Sequence, residues 1–407
     1  MKRTHPLRFC RGWAVLGLLA SGWAHALAPL QLFVELTPEH GVLRPPPGNY
    51  GGPVVIRKPM TLDGGAAVTL DGEGSGTVLT IEADGVTVRG MRLIGSGSSH
   101  DQVDAGIWVQ GDGCRIEDNT IEDVLFGIHL QQADRNLIRG NRIQSHAGEV
   151  TLRGDGIRLW YSHENRIEGN TLTRVRDLVL ANSNANAIVD NVVADSRIAL
   201  QLMFSPLSEV RGNRVSHSHS GIATLYSNDV TIRGNRIQHL RERAGAALTV
   251  KDSSGVLIED NEVLHCVYAL TANAPVNPEN VLTLRRNRLA YNDVACYFYG
   301  EKGGHVIQGN RFEHNMLDVL VSAPSSARAN DWRGNYWDTY SGFDRDGDGF
   351  GDRAHTFQIY ADRLWMDRPF ARFFRGTPAL SVLDFVERLI PFSAPEWVLR
   401  DPAPLMR

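Results

Sequence analysis

Ten asparagines recur in phase through the middle of this chain: Asn119, Asn141, Asn170, Asn191, Asn213, Asn235, Asn261, Asn287, Asn310 and Asn335. Successive intervals run from 21 to 29 residues. A period in that range belongs to solenoids, propellers and arrays. The flanking tracts repeat as well: Arg-Ile-Glu-Asp-Asn119-Thr-Ile, Leu-Ile-Arg-Gly-Asn141-Arg-Ile, Arg-Ile-Glu-Gly-Asn170-Thr-Leu. Between them lies a second apolar tract, as in Gly106-Ile-Trp-Val, Gly127-Ile-His-Leu and Gly156-Ile-Arg-Leu. No window in this region keeps helical spacing. Alternation over four to six residues reads as short strands with one buried face. Such strands, turned at each corner, predict an all-β, right-handed parallel β-helix of about 22-residue coils. The asparagines are expected at left-handed corners, with their amides stacked along the axis. Met60-Thr-Leu and Met91-Arg-Leu share a phase, so coils are expected from near residue 30.

The repeat is bounded on both sides. Asn occurs once before residue 119, at Asn49, and never after Asn335. Lys2, Arg3, Arg8 and Arg11 precede an apolar run, and Ala24-His25-Ala26 fits a cleavage pattern. Residues 1–26 are therefore expected to be an export signal and 27–335 the β-helix. Loss of those four cations takes the formal charge from −4 to −8. With no basic stripe, nucleic acid is not an expected partner. Cys10 leaves with the signal. Cys114 and Cys266 are six coils apart, roughly 25–30 Å, and a bridge needs about 7 Å or less. Cys266 and Cys296 are four positions out of phase, so no intramolecular disulfide is expected.

Residues 336–407 are expected to form a cap, because an open solenoid end exposes strand edges. Ser381 to Ile390 reads as one short helix ended by Pro391. Ahead of it, Asp344, Asp346, Asp348 and Asp352 stand at positions 1, 3, 5 and 9 of a calcium-loop pattern. Gly349 holds position 6, and Phe350 would offer its carbonyl at position 7. Position 12 is His355, a poor calcium ligand, so another oxygen such as Asp338 would be borrowed.

Four residues after each ladder Asn lies another column: Asp123, Ser145, Arg174, Asp195, His217, His239, His265, Tyr291, His314. His219, Cys266 and Met316 are its chain neighbours. Imidazole, thiolate and thioether are ligands that copper(I) prefers. The column, or alternatively the pair Met60/Met91, is thus a candidate copper site, against the plainer reading of a packing repeat. Catalysis is read less readily. Only four lysines occur, Asp155 stands alone, and no Asp-Asp or Asp-rich cluster recurs on one face of the coils. An exported polysaccharide lyase, hydrolase or epimerase is the alternative.

The repeats, followed by Gly334-Asn-Tyr-Trp-Asp and the loop to Asp352, resemble the NosD family, periplasmic copper-maturation proteins of nitrous oxide reductase. Leu383-Asp-Phe-Val-Glu-Arg-Leu-Ile-Pro and Asp401-Pro-Ala-Pro resemble that family's C-terminus. The resemblance implies a non-enzymatic role in denitrification, in the periplasm. It also implies three partners: an ABC transporter (membrane subunit and ATPase), a lipoprotein copper chaperone and the reductase.

Overall fold

Three-residue strands with an apolar middle residue build the walls. Arg166–Glu168 and Thr171–Thr173 bury Ile167 and Leu172 and leave their flanks half-exposed. In parallel register, Ile116, Ile138, Ile167, Ile188, Val210, Ile232, Ile258, Leu284 and Ile307 form one inward column, every member fully buried. The computed structural model describes residues 27–273, 281–300, 303–322, 327–359 and 396–406, with 377, 378, 382, 385 and 386. In it the chain winds into a right-handed parallel β-helix of about 13 turns. The strands on either side of the ladder Asn belong to one continuous sheet of 24 strands. The second apolar tract of each coil forms a sheet of 12. The glycine opening that tract serves close approach: a Cβ on Gly127 would lie 2.2 Å from Gly156 O.

The ladder amides bond along the axis as expected, but their backbone is not left-handed. The residue before each Asn takes that conformation instead, as at Asp118, Gly140, Gly169, Asp190, Gly212 and Gly234. That leaves each Asn pointing inward and buried. Asn213 is typical. Its Nδ2 donates to Ile188 O (2.9 Å) and Asn235 Oδ1 (3.0 Å), and its Oδ1 accepts from Asn191 N (2.9 Å) and Nδ2 (3.0 Å).

Both ends are closed by side chains that mimic a missing coil. At the N-terminal end a six-residue helix, Gln31–Leu36, stands where only coils were expected; it is too short for a periodic signal. Gln31 Oε1 accepts from Val55 N (2.8 Å) and its Nε2 donates to Val55 O (3.3 Å), covering the edge strand Val54–Ile56. At the other end Tyr336–Trp337 adds a last parallel strand after the ladder. There Asp401 is fully buried. Its two oxygens accept from Gly334 N (3.1 Å), Ala403 N (3.0 Å), Asn335 N (2.9 Å) and Trp337 Nε1 (2.9 Å). The carboxylate thus takes the place of the next ladder Asn. Asp401 lies on Glu396–Asp401, which pairs antiparallel with His355–Ile359. Val382, Phe385 and Val386 of the expected 381–390 helix are helical, and its other positions lie outside the described residues, as does the 1–26 signal. Cys114, Cys266 and Cys296 are buried, and no disulfide joins any two of them. Cys296 pairs in register with Leu270, four positions from Cys266, which keeps the two apart.

Candidate functional site: a histidine stack on the outer corner

The column four residues after the ladder Asn forms an outer corner of the helix. Asp123, Arg174, Asp195, His217, His239, His265, Tyr291 and His314 all have φ between 52° and 60°. Histidine tolerates this region better than most side chains. Backbone alone does not select it, because another left-handed column runs Gln132, Tyr161, Asn182, Phe204, Tyr226, Asp252 without one.

Coil spacing puts the rings face to face. Centroids of His217 and His239 are 5.5 Å apart, His239 and His265 5.2 Å, His265 and Tyr291 5.1 Å, Tyr291 and His314 5.1 Å. The first three pairs are stacked within 22° of parallel, and the last is tilted by 30°. All four histidines are exposed. His239 has its pKa lowered, first by its partial burial and then by the neighbouring His265 and His217. Parallel rings aim their in-plane lone pairs side by side, not at each other. An ion shared by two imidazoles at about 2 Å each needs nitrogens roughly 4 Å apart with converging lone pairs. The stack is thus a row of single-ligand positions, and two rings share an ion only after one turns out of the row.

Each end of the stack has its own surroundings. His217 and His219 line a polar cleft of about 390 Å³ with Glu149, Arg153 and Asp195. Arg153 spans it, donating to Gly148 O (3.0 Å) and Asp195 O (3.1 Å). At the far end Asp338 Oδ2 accepts from His314 N (2.6 Å) and lies 3.2 Å from His314 Nδ1. That oxygen of Asp338 is thus engaged at the histidine corner.

Three expected ligands do not belong to this corner. Cys266 sits one position further along, in a buried column: its N donates to Asn292 Oδ1 (2.9 Å) and its Sγ to Leu264 O (3.3 Å). Burial pushes its thiol up to about 11, so it stays protonated. Met60 and Met91 are each 2% exposed and part of the core. They do not share a column. Met91 N donates to Asn119 Oδ1, placing Met91 in the ladder phase, which faces inward. Met60 instead precedes Thr61, which pairs with Thr87. Met316, by contrast, is exposed.

In the acidic loop, carboxylate oxygens of Asp344, Asp346 and Asp348 lie within 4.8 Å of one another. Asp344 turns the loop by accepting from Gly347 N (2.7 Å) and Gly349 N (3.0 Å). Asp352 accepts from Arg345 N (3.2 Å). His355 turns away into a strand and stacks on Trp337 at 5.0 Å. Burial lowers its pKa to about 4.

Asp155 is not alone. It pairs with Arg176 Nε (2.9 Å), and the fully buried Asp177 of the next coil pairs with Arg197 and accepts from Ile198 N (2.8 Å). Burial, then the neighbouring Asp155, raises Asp177 to about 6. Only the coil register brings Arg153-Gly-Asp155 beside Arg176-Asp177, so the pair has no local sequence signal.

A family model described as periplasmic copper-binding protein (NosD) matches residues 145–342, and one described as right handed beta helix region matches 67–214. A "probable ABC transporter binding protein NosD" of Pseudomonas aeruginosa is 30% identical over 88% of this chain and 87% of its own length. This chain belongs to the NosD family. The Stutzerimonas stutzeri protein of the same description is 27% identical over 96% of this chain and 92% of its own. Among solved structures, the periplasmic alginate epimerase AlgG superposes with a TM-score of 0.50 at 14% identity, over 72% of this chain and 83% of its own. That likeness is one of fold. No helix among the described residues is long and apolar enough to cross a membrane.

Proposed function

We propose that this NosD-family chain is a periplasmic, non-enzymatic accessory protein that handles copper(I) during copper-site assembly of nitrous oxide reductase. It works with an ABC transporter (membrane subunit and ATPase) and takes copper from a lipoprotein chaperone. Copper is cargo here, so exchangeable ligands suit the task better than a closed cage. The observation that carries the reading is the exposed row His217, His239, His265, His314, within a family described as copper-binding. His219 extends the row into the polar cleft. The double variant His239→Ala/His265→Ala should bind fewer copper(I) ions per chain under a competing chelator. In a denitrifying host it should lower the copper content of the reductase. Unchanged stoichiometry and a fully loaded reductase would remove the stack from the pathway.

Calcium bracing of the cap is a second metal reading. Asp344, Asp346 and Asp348 fit a hard cation, since three carboxylates this close repel one another without one. Phe350, through its carbonyl, and Asp352 complete the expected set. Chelator should lower the wild-type melting temperature by a few degrees, and Asp346→Ala with Asp348→Ala should abolish that difference. A wild-type melting curve indifferent to chelator sinks the calcium reading.

One observation favours an enzymatic alternative, a polysaccharide lyase, hydrolase or epimerase: Asp177, raised to about 6 beside Asp155 and two arginines. Turnover of uronate polymers by the purified chain, lost in Asp177→Asn, would establish it in place of the accessory role.

A further inference from the structure

We propose that copper(I) enters at the C-terminal end of the stack, on His314 Nε2 and Met316 Sδ, with Asp338 as the positioning residue. The inference rests on the copper reading above and names its site. Among the described residues, His314 is the stacked histidine with a carboxylate oxygen in ion-pair range of its ring. Asp338 Oδ2, already fixed by His314 N at 2.6 Å, stands 3.2 Å from Nδ1. A carboxylate this close to Nδ1 favours the tautomer that leaves the Nε2 lone pair free, as second partners of metal-bound histidines do. The His314 ring is also the one tilted out of the parallel set, at 30° to Tyr291.

Met316 supplies the soft donor. It is 56% exposed, whereas Met60 and Met91 are 2% exposed. A thioether left in water forgoes the burial that the other two obtain. The backbone between the two donors is pinned. Asn315 Nδ2 donates to Leu289 O (2.9 Å), and its Oδ1 accepts from Asn292 N (3.1 Å). Met316 N donates to Asn292 O (2.9 Å). With Asn315 held inward, His314 and Met316 flank it on the solvent side of one corner. One imidazole and one thioether select copper(I) over the hard cations that the carboxylates of this protein would take. Two ligands leave coordination open for a donor's ligand during transfer.

The test is anaerobic copper(I) titration of the purified mature chain against a chromogenic chelator, with X-ray absorption on the loaded protein. His314→Ala and Met316→Leu, both at exposed positions, should each weaken the tightest site by about tenfold or more. Asp338→Asn should weaken it by about tenfold, the usual scale for a lost second partner. The copper–sulfur shell should vanish in Met316→Leu and persist in His239→Ala/His265→Ala. Wild-type affinity in both single variants, or no sulfur shell in the wild type, overturns this site and leaves the wider copper reading standing. Failure of the wild-type chain to bind copper(I) overturns both.

Discussion

Asp401→Ala should destabilise the C-terminal end of the helix by about 3–5 kcal/mol. Four donors, Gly334 N, Asn335 N, Trp337 Nε1 and Ala403 N, lose the acceptor that they share among the described residues, a fully buried carboxylate. Each orphaned donor costs about 1 kcal/mol or more. Asp401→Asn is not a mild substitution here. Each carboxylate oxygen takes two donors, so an amide NH₂ in place of one oxygen faces two N–H groups. A solenoid holds each coil mainly by its neighbours, so the loss should spread inward from the end. Hydrogen exchange at Gly334, Asn335 and Trp337 should therefore accelerate well before that at Asn213. Wild-type exchange at those amides in Asp401→Ala would show that the carboxylate does not close the ladder.

Asn213→Ala should cost a similar amount, roughly 3–5 kcal/mol, but in the middle of the solenoid. It removes four hydrogen bonds, leaves Asn191 N without its acceptor and takes the Nδ2 donor from Ile188 O and Asn235 Oδ1 in a buried column, where Asn235 Oδ1 keeps only the backbone N–H of residue 213. Asn213→Asp keeps an acceptor for Asn191 but brings a carboxylate oxygen against Ile188 O, so it should not rescue. The expected sign in equilibrium denaturation is a lower midpoint, or two transitions where the wild type has one, as the halves decouple. A midpoint within about 0.5 kcal/mol of wild type, the range of ordinary surface changes, would mean that the ladder is not a stability element.

The two ends of the histidine stack present different chemistry, and that bears on how copper would pass. One end opens on a polar cleft with Glu149, Arg153 and Asp195; the other carries an exposed thioether and a carboxylate-held imidazole. Between them the rings stay about 5 Å apart. A bound ion can be passed from one ring to the next only as a ring leaves the stack. The exposure of His217, His239, His265 and His314 permits that movement.

From sequence alone, the period, the strand alternation and the amide ladder were legible, because a buried amide must bond to something and recurs wherever the next coil supplies the partner. The same register places His217, His239, His265 and His314 in one column. Direction was less legible. Met91 shares the phase of the asparagines, and that phase faces the core, so the residue read as a ligand is a packing residue. Cys266 lies a single position from an exposed histidine and is buried, because neighbouring residues at a corner point to opposite sides. Contacts between distant segments were not legible at all. Asp401 reaches Asn335 across 66 residues, Asp338 meets His314 across 24, and Asp177 meets Asp155 one coil away. A repeat specifies what lies above and below each residue. Which side chain terminates the stack, and which one holds the ring at its end, depends on how the non-repeating chain returns over the last coil, and only the tertiary structure decides that.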